Sequence, residues 1–416
     1  MKFTDELAWR GFINQTTYKD LNFLNDNKVT FYFGVDPSAD SMQVGNLAAV
    51  MMTKCFIKHG HKPVILIGGA TGLIGDPDGK AQERDLITKE EIDSNKAALV
   101  GQYKQLYQDY DFQIVDNYDW FKDMNYLDFL RDTGKHVPMR QMLGREFVQS
   151  RLQEGGAGIS YAEFSYVLIQ AYDFLHLYKN YGVTLQLCGA DQWGNSIAGV
   201  DLIRRVAGAE TNVYSTPLVI DETTGRKFGK SEAGAIWLDP NKTSPTQFYQ
   251  FWINLSDEGV ENYLKVFTEF DQAEVQAIMD THAQNPGARH AQRELARAVT
   301  ELVHGHEAAK TAEQVTDILT GKVKLQDIDE PSLIDVLRKE IPSVKSSENG
   351  EIAEALVDSG LSPSKTEARK LISGNAISIN GDKSAKENFD SEDFKNGRLL
   401  MRRGKAYKDS CLVEIG

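Results

Sequence analysis

This 416-residue sequence predicts an α/β fold built on a parallel sheet, followed by a helical domain and a small third domain. Three observations carry that prediction. Short apolar runs bounded by turn residues alternate with helix-period segments through the first half. Glycine-bearing loops follow directly on two of the strand-like runs. The helical period then continues without strands from about Ser244 to Gln326.

"VTFYFGV" at 29–35 reads as the first buried strand, "DPSAD" as a loop, and about Ser41–Lys58 as a helix. "KPVILIGGATGLIGDPDGK" gives a second strand and a glycine-rich loop. Further strands are expected in "FQIVDN", "VTLQLCG" and "PLVID", with helices between them. Such a sheet collects ligands beyond the carboxyl ends of its strands. "QFYQFWINL", "ENYLKVFTEF", "AEVQAIMDTH" and "ARHAQRELARAVTELVHG" are the helices of the second region, and the polar "PSVKSSENGE" reads as a linker before the last segment of some 70 residues.

Composition excludes several classes of function. Lys54, Lys58 and Lys62 interrupt the best apolar stretch and "MKFTDELAWRGF" lacks the core of a signal peptide, so a cytoplasmic protein without a membrane role is expected. Cys55, Cys188 and Cys411 form no CxxC pair, which argues against a disulfide framework and a cysteine zinc site; His59 and His61 read as a surface turn, and no metal site is expected. A net charge of −14 disfavours broad binding to DNA or RNA but allows local basic patches; residues 350–416 balance 11 basic against 11 acidic side chains, so the first 349 carry the whole excess.

Five stretches carry candidate chemistry. Gly45, in the first turn of the expected 41–58 helix, costs about 1 kcal/mol relative to alanine. It fits either close packing on a neighbouring strand or approach of a phosphate to the helix start, with Ser38 and Gln43 as donors on the same side. The second glycine loop fails both common phosphate patterns, at Ala70 for GxGxxG and at Ile74 and Ala81 for GxxxxGK[ST]. Its Asp76 suits an ammonium group, while Lys80 and Arg84 suit anions. In "EFSYVLIQAYDFLHLY", Tyr166, Gln170 and Asp173 fall on one helix face in apolar surroundings, where a buried amide and carboxylate need partners. "GADQWGN" at a strand end offers Asp191 and Gln192, and "GRKFGKSEAG" offers Lys227 and Lys230 on a loop able to close on a polyphosphate.

In this order the pieces resemble the bacterial tyrosyl-tRNA synthetase family of class I aminoacyl-tRNA synthetases, from "WRGFINQTT" through "YFGVDPSADS" and "TSPTQFYQFWIN" to "RRGKAYK". "QVGN" at Gln43–Asn46 stands at that family's HIGH signature and "KFGKS" at Lys227–Ser231 at its KMSKS signature; Gln43 departs from the usual histidine. The resemblance implies a Rossmann-like catalytic domain with an inserted dimerisation region at 1–220. It further implies a KMSKS-type loop and helical anticodon domain at 221–326, a linker at 327–349 and an S4-like RNA-binding domain at 350–416.

It also implies activation of L-tyrosine by ATP with Mg2+ and transfer to tRNA(Tyr) by a homodimer. By matched position, Ser38, Gln43, Lys80, Arg84, Lys227, Lys230 and Ser231 would serve the phosphates. Gly45, Asn46, Gly189, Asp191 and Lys230 would hold ATP. Tyr32 and Asp173 would read the phenol, Asp76, Tyr166 and Gln170 the ammonium, with Gly34, Asp36 and Gln192 bordering the amino acid. Arg204 and Arg205 would meet the acceptor stem, and Lys365, Arg369, Lys370, Arg402, Arg403 and Lys405 other RNA phosphates. Two rival readings stand beside this one: a tryptophan-specific relative, and a paralogue that has lost activation and acts as an RNA-binding protein.

Overall fold

The computed structural model describes residues 1–77, 87–225, 227–231, 234–328, 330–404 and 409–416, without the side chains of residues 146, 147, 230 and 231. Six strands form the first sheet: β1 (Gln15–Thr16), β2 (Thr30–Val35), β3 (Lys62–Ile67), β4 (Gln113–Asp116), β5 (Val183–Gly189) and β6 (Asn212–Thr216). Their order is β1-β6-β5-β2-β3-β4, parallel throughout except for β1. The chain winds from β2 outward to β4, then returns to β5 beside β2. The switch point therefore lies between the carboxyl ends of β2 and β5, the place where such sheets open a crevice.

The helices that position this crevice are α1 (Phe3–Trp9), α2 (Val44–Lys58), α3 (Thr71–Ile74), α4 (Lys89–Leu106), α5 (Tyr161–Tyr181) and α6 (Trp193–Ala207). Strand β3 is buried over five consecutive residues because helices cover both faces of a parallel sheet. Helix α5 starts where the Ser160 hydroxyl accepts the Glu163 N–H and stops at Gly182, whose φ of 67° no β-carbon favours. Its inner face joins Tyr32, Val64, Leu66 and Val213 in one core through Ala171, Phe174, Leu175 and Leu177.

Two expected boundaries move. The helix read from Ser41 begins at Val44, because Met42 and Gln43 are held extended by bonds to other segments. "PLVID" is not a sheet strand: Pro217 has no N–H for the ladder, and the preceding "NVYST" takes the position as β6.

Beyond a short hairpin of β7 (Lys230–Ser231) and β8 (Gly234–Ala235) come α7 (Pro245–Ile253), α8 (Val260–Phe267), α9 (Gln272–Gln284), α10 (His290–His304) and α11 (His306–Thr320). The chain divides into two compact units, Met1–Lys242 with Leu255–Leu295, and Thr243–Asn254 with Ala296–Gly416. In the first, Arg10 of "WRGF" donates to the carbonyls of Lys265, Thr268 and Phe270 and so closes the exposed end of α8.

In the second unit the segment read as a linker, 327–349, contains α12 (Pro331–Glu340) and β9 (Ser343–Ser346). Leu333, Ile334 and Leu337 give α12 an apolar face that packs with Val315, Ile318 and Leu319. Strand β9 pairs parallel with β13 (Ser410–Ile415) at one edge of a sheet ordered β11-β10-β12-β13-β9, where β10 is Ile377–Ile379, β11 Asp382–Ser384 and β12 Arg398–Arg403. Helices α13 (Ile352–Asp358) and α14 (Lys365–Ser373) supply Leu356, Ala368 and Ile372 to a core with Leu399, Met401 and Val413 of that sheet.

Candidate active site

Midway along β2, on the approach to its carboxyl end, Tyr32 is 1% exposed and its hydroxyl has no protein partner. Asp173, on the facing side of α5, is equally buried. Its carboxylate accepts from Asn117 Nδ2 at 3.0 Å and from Trp120 Nε1 at 2.9 Å. Burial nevertheless pushes the Asp173 carboxyl up to about 8, against the pull of those two donors. The Tyr32 phenol is raised by burial first and by Asp173 second, so it stays a neutral donor. One turn from Asp173 the Gln170 Oε1 is also buried without a protein partner. A buried polar atom of this kind calls for a partner, which an ordered water or a ligand supplies.

The next layer is saturated. Asp36 accepts from Tyr166 Oη at 2.8 Å and from Thr71 Oγ1 at 2.6 Å. Gly68 is required here, since a β-carbon would lie 2.0 Å from Asp36 Oδ1. The Gly69 and Ala70 amides donate to Asp116 and Asn117 at 3.2 and 2.7 Å, and Asn117 also reaches Thr71 Oγ1 at 3.1 Å. The first half of the glycine-rich loop therefore binds the protein's own side chains, which explains its failure to match a phosphate pattern. Asp76 accepts from Gln192 Nε2 at 2.5 Å, and Gln192 in turn accepts from Asn195 at 3.2 Å. Gly34 is exposed at the same strand end.

At the other end of the crevice, α2 meets the lysine loop. Gln43 is the N-cap; its N–H donates to Asn46 Oδ1 at 2.9 Å, so that oxygen serves the cap and the amide donors of Asn46 remain for a ligand. The Val44 N–H donates to Ile236 O, the Leu238 N–H to Met42 O, and Gln43 bridges Trp237. Gly45 faces the Phe228 carbonyl, which would lie 3.2 Å from its β-carbon. Gly229, with φ 102°, approaches so closely that its β-carbon would fall 2.9 Å from the Gly45 nitrogen. Of the two readings of Gly45, close packing is thus present, against a loop rather than a strand. Phe228 anchors the loop on Tyr263 and Phe267, with ring centroids 4.8 and 5.2 Å away. Lys227 pairs with Asp191 at 3.4 Å just beyond Gly189, and Ser38 is exposed on the approach. Lys80, Arg84 and Lys405 lie outside the described residues, as do the side chains of Lys230 and Ser231.

The expected RNA-contacting cations divide. Arg204 pairs with Asp201 at 3.1 Å and Arg205 donates to the His136 carbonyl. Lys365 and Arg369 share Glu351 at 3.2 and 2.7 Å, while Lys370 is exposed. Exposed pairs such as these are weak, so phosphate can displace them. Arg403 donates to Leu361 O at 2.7 Å. Arg402 corrects the expectation of a surface phosphate contact: it is 9% exposed, on the face of β12 shared with Leu400, and its guanidinium reaches Gly321 at the carboxyl end of α11, where a helix favours a cation. His61, read as part of a surface turn, is buried against Phe3 and Phe56. Among the described residues Glu6, Cys55 and His59 could jointly approach a metal, but Glu6 is already engaged by Arg10 and His59.

Asn117, Trp120 and Thr71 escaped the sequence reading. Their signal was place: Asn117 and Trp120 follow strand β4 at its carboxyl end and Thr71 follows β3, the same edge that carries the other site residues.

A parallel sheet with a switch-point crevice, a glycine-containing helix start on one side and a lysine loop docked against it, is the site of a class I aminoacyl-tRNA synthetase. The family model described as tRNA synthetases class I (W and Y) matches residues 24–320, and the tyrosine--tRNA ligase SYY-like C-terminal domain matches 333–412. The sequence is 44% identical to the tyrosine--tRNA ligase of Latilactobacillus sakei subsp. sakei over 411 residues, 96% of each chain. It is also 44% identical to tyrosine--tRNA ligase 2 of Bacillus cereus over the full length of both. A C-terminally truncated Aspergillus nidulans mitochondrial tyrosyl-tRNA synthetase superposes with a TM-score of 0.69 at 31% identity, covering 76% of this chain and 94% of that one. The chain belongs to the tyrosine--tRNA ligase family.

Proposed function

We propose that this chain activates L-tyrosine with ATP, forming tyrosyl-adenylate and pyrophosphate, and then transfers tyrosine to the 3′ end of tRNA(Tyr). The observation that carries the choice of tyrosine is the buried pair at the crevice floor: an unpartnered Tyr32 hydroxyl beside an Asp173 held by two donors. A phenol hydroxyl completes both, donating to Asp173 and accepting from Tyr32. Phenylalanine would leave them unpaired, and tryptophan offers no hydroxyl at that depth. Gln170, Tyr166 and Asp76 hold the ammonium group, with Asp36, Gly34 and Gln192 along the amino acid.

The attack of the tyrosine carboxylate on the α-phosphate requires no covalent enzyme intermediate. Catalysis comes from holding the reactants in line and stabilising charge on the departing pyrophosphate. Ser38, Gln43, Lys80, Arg84, Lys227, Lys230 and Ser231 serve the phosphates, while Gly45, Asn46, Gly189 and Asp191 hold the adenosine. The Mg2+ that accompanies ATP neutralises phosphate charge when bound. Lys227 must release Asp191 to reach a phosphate, and their exposed pair is weak enough to permit it.

The chain works as a cytoplasmic homodimer in this reading. Tyr126, Leu127, Met139, Leu152 and Tyr161, all well exposed within one insertion of the first unit, supply an apolar surface for a second copy. Lys365, Arg369, Lys370, Arg403 and Lys405, with Arg204 and Arg205, contact tRNA phosphates. The experiment is amino-acid-dependent ATP–pyrophosphate exchange with tyrosine, phenylalanine and tryptophan in parallel. Exchange with tyrosine alone is expected, and exchange with tryptophan instead would overturn the pocket assignment. The intact floor and docked lysine loop favour this reading over an activation-deficient RNA-binding paralogue.

A further inference from the structure

We infer that Gln102, on α4 and outside the residues assigned to any substrate, is the positioning residue that fixes the helix start of α2 against the lysine loop. This rests on the proposed activation reaction. Gln102 Oε1 accepts the Met42 N–H at 2.8 Å and its Nε2 donates to Ser41 Oγ at 2.8 Å, so one amide grips two consecutive residues immediately before Gln43. The Ser41 hydroxyl, 4% exposed, passes the constraint on. It donates to the Met42 carbonyl at 3.0 Å and accepts the Asp239 N–H at 3.1 Å, from the strand of chain that returns from the lysine loop.

Around this junction the same two segments are joined by the Met42–Leu238 and Val44–Ile236 backbone bonds and by the ion pair of Lys242 with Asp40. Those bonds hold the segments side by side, whereas Gln102 ties them to the body of the first unit through its side chain. A second residue one face along α4 acts likewise on the preceding turn: Asn95, 5% exposed, donates to the Pro37 carbonyl at 3.1 Å beside Ser38. Helix α4 is thus a rail to which the loop carrying Ser38 and Gln43 is bolted. Near-attack geometry is sensitive to displacements of about 1 Å, so loosening this rail acts on the rate. Gln102 bonds Ser41 and Met42 rather than the tyrosine floor built from β2, β4 and α5; α4 meets that floor at a different residue, Lys96, which pairs with Asp116 at 2.8 Å.

The test is steady-state tyrosine-dependent exchange by the full chain and its Gln102→Ala, Gln102→Glu and Ser41→Ala variants. Gln102→Ala should lower kcat about tenfold with KM for tyrosine within about twofold of the unmodified chain. Gln102→Glu keeps the acceptor for Met42 and the side-chain shape, and should recover part of the loss. Because Gln102 and Ser41 act through one junction, the double alanine variant should be no slower than about twofold below the worse single variant. An unchanged kcat in Gln102→Ala, a parallel loss of tyrosine affinity, or fully multiplicative losses in the double variant would overturn the inference. If Gln102→Ala does not fold, Gln102→Glu decides: full activity overturns the inference, and lowered kcat at unchanged KM supports it. An unmodified chain without exchange would overturn the underlying reaction and the inference with it.

Discussion

The two ends of the crevice are built by opposite means. At the proposed tyrosine end, the candidate specificity residues are buried and held by further side chains, from Asn117 and Trp120 on Asp173 to Thr71 and Tyr166 on Asp36. At the proposed phosphate end, the lysine loop meets the helix start mainly through backbone, with Gly45 against Phe228, Gly229 against Gly45 and β-type bonds from 42–44 to 236–238, and the Gln102 and Ser41 side chains tie that junction to α4. The contrast suits the two tasks. A pocket that tells tyrosine from phenylalanine needs fixed dipoles, while a loop that follows a changing phosphate needs contacts it can break and remake.

The largest break in this contrast is expected from Asp173→Ala. It removes the acceptor of the phenol and strands the Asn117 and Trp120 donors, so tyrosine affinity should fall about 100-fold, with a smaller change in kcat, measured as KM and kcat for exchange. Unchanged affinity would remove Asp173 from the floor. Gly229→Ala should do the reverse. Its φ of 102° and a β-carbon 2.9 Å from the Gly45 nitrogen force the loop away, lowering kcat about tenfold at unchanged tyrosine affinity.

A pH series sharpens the same comparison. The ionised Asp173 is the stronger acceptor for the phenol hydroxyl, so KM for tyrosine should fall as pH rises toward and through about 8, and an Asp173→Asn variant should lose that dependence. Folding responds in the opposite sense. The carboxyl is raised in the folded state, so the unfolded chain releases this proton first, and the Asp173 contribution to stability declines between about pH 4, the ordinary carboxylate range, and about 8. Denaturant melts of the unmodified chain and Asp173→Asn across that window check the sign. The smallest effect is expected far from both ends: Lys370→Ala should raise KM for tRNA about threefold at moderate salt and leave exchange untouched.

Much of this is legible in the sequence. The strand read at 29–35 and the helix face of Tyr166, Gln170 and Asp173 follow from period and composition, because strand and helix periods leave direct marks on sequence, whereas the role of the lysine loop rests on its resemblance to a family signature. What stayed hidden depends on distant partners. Nothing local in "PSVKSSENGE" says that residues 343–346 pair with the last strand, since β pairing is a property of two segments. Arg402 reads as a surface cation until both faces of β12 are seen to be covered. Gly45 and Gly229 explain each other only once the loop is laid on the helix start, and Asn117 is unremarkable until Asp173 is placed beside it.

The most direct test of the central claim is tyrosine-dependent ATP–pyrophosphate exchange by the unmodified chain, run beside Gln43→His. The helix cap at Gln43 and the assembled floor predict robust exchange with glutamine in place, with the histidine variant changing the rate but not creating it. Absence of exchange in the unmodified chain, restored by histidine, would contradict the account and leave a tyrosine pocket on a protein that no longer activates it.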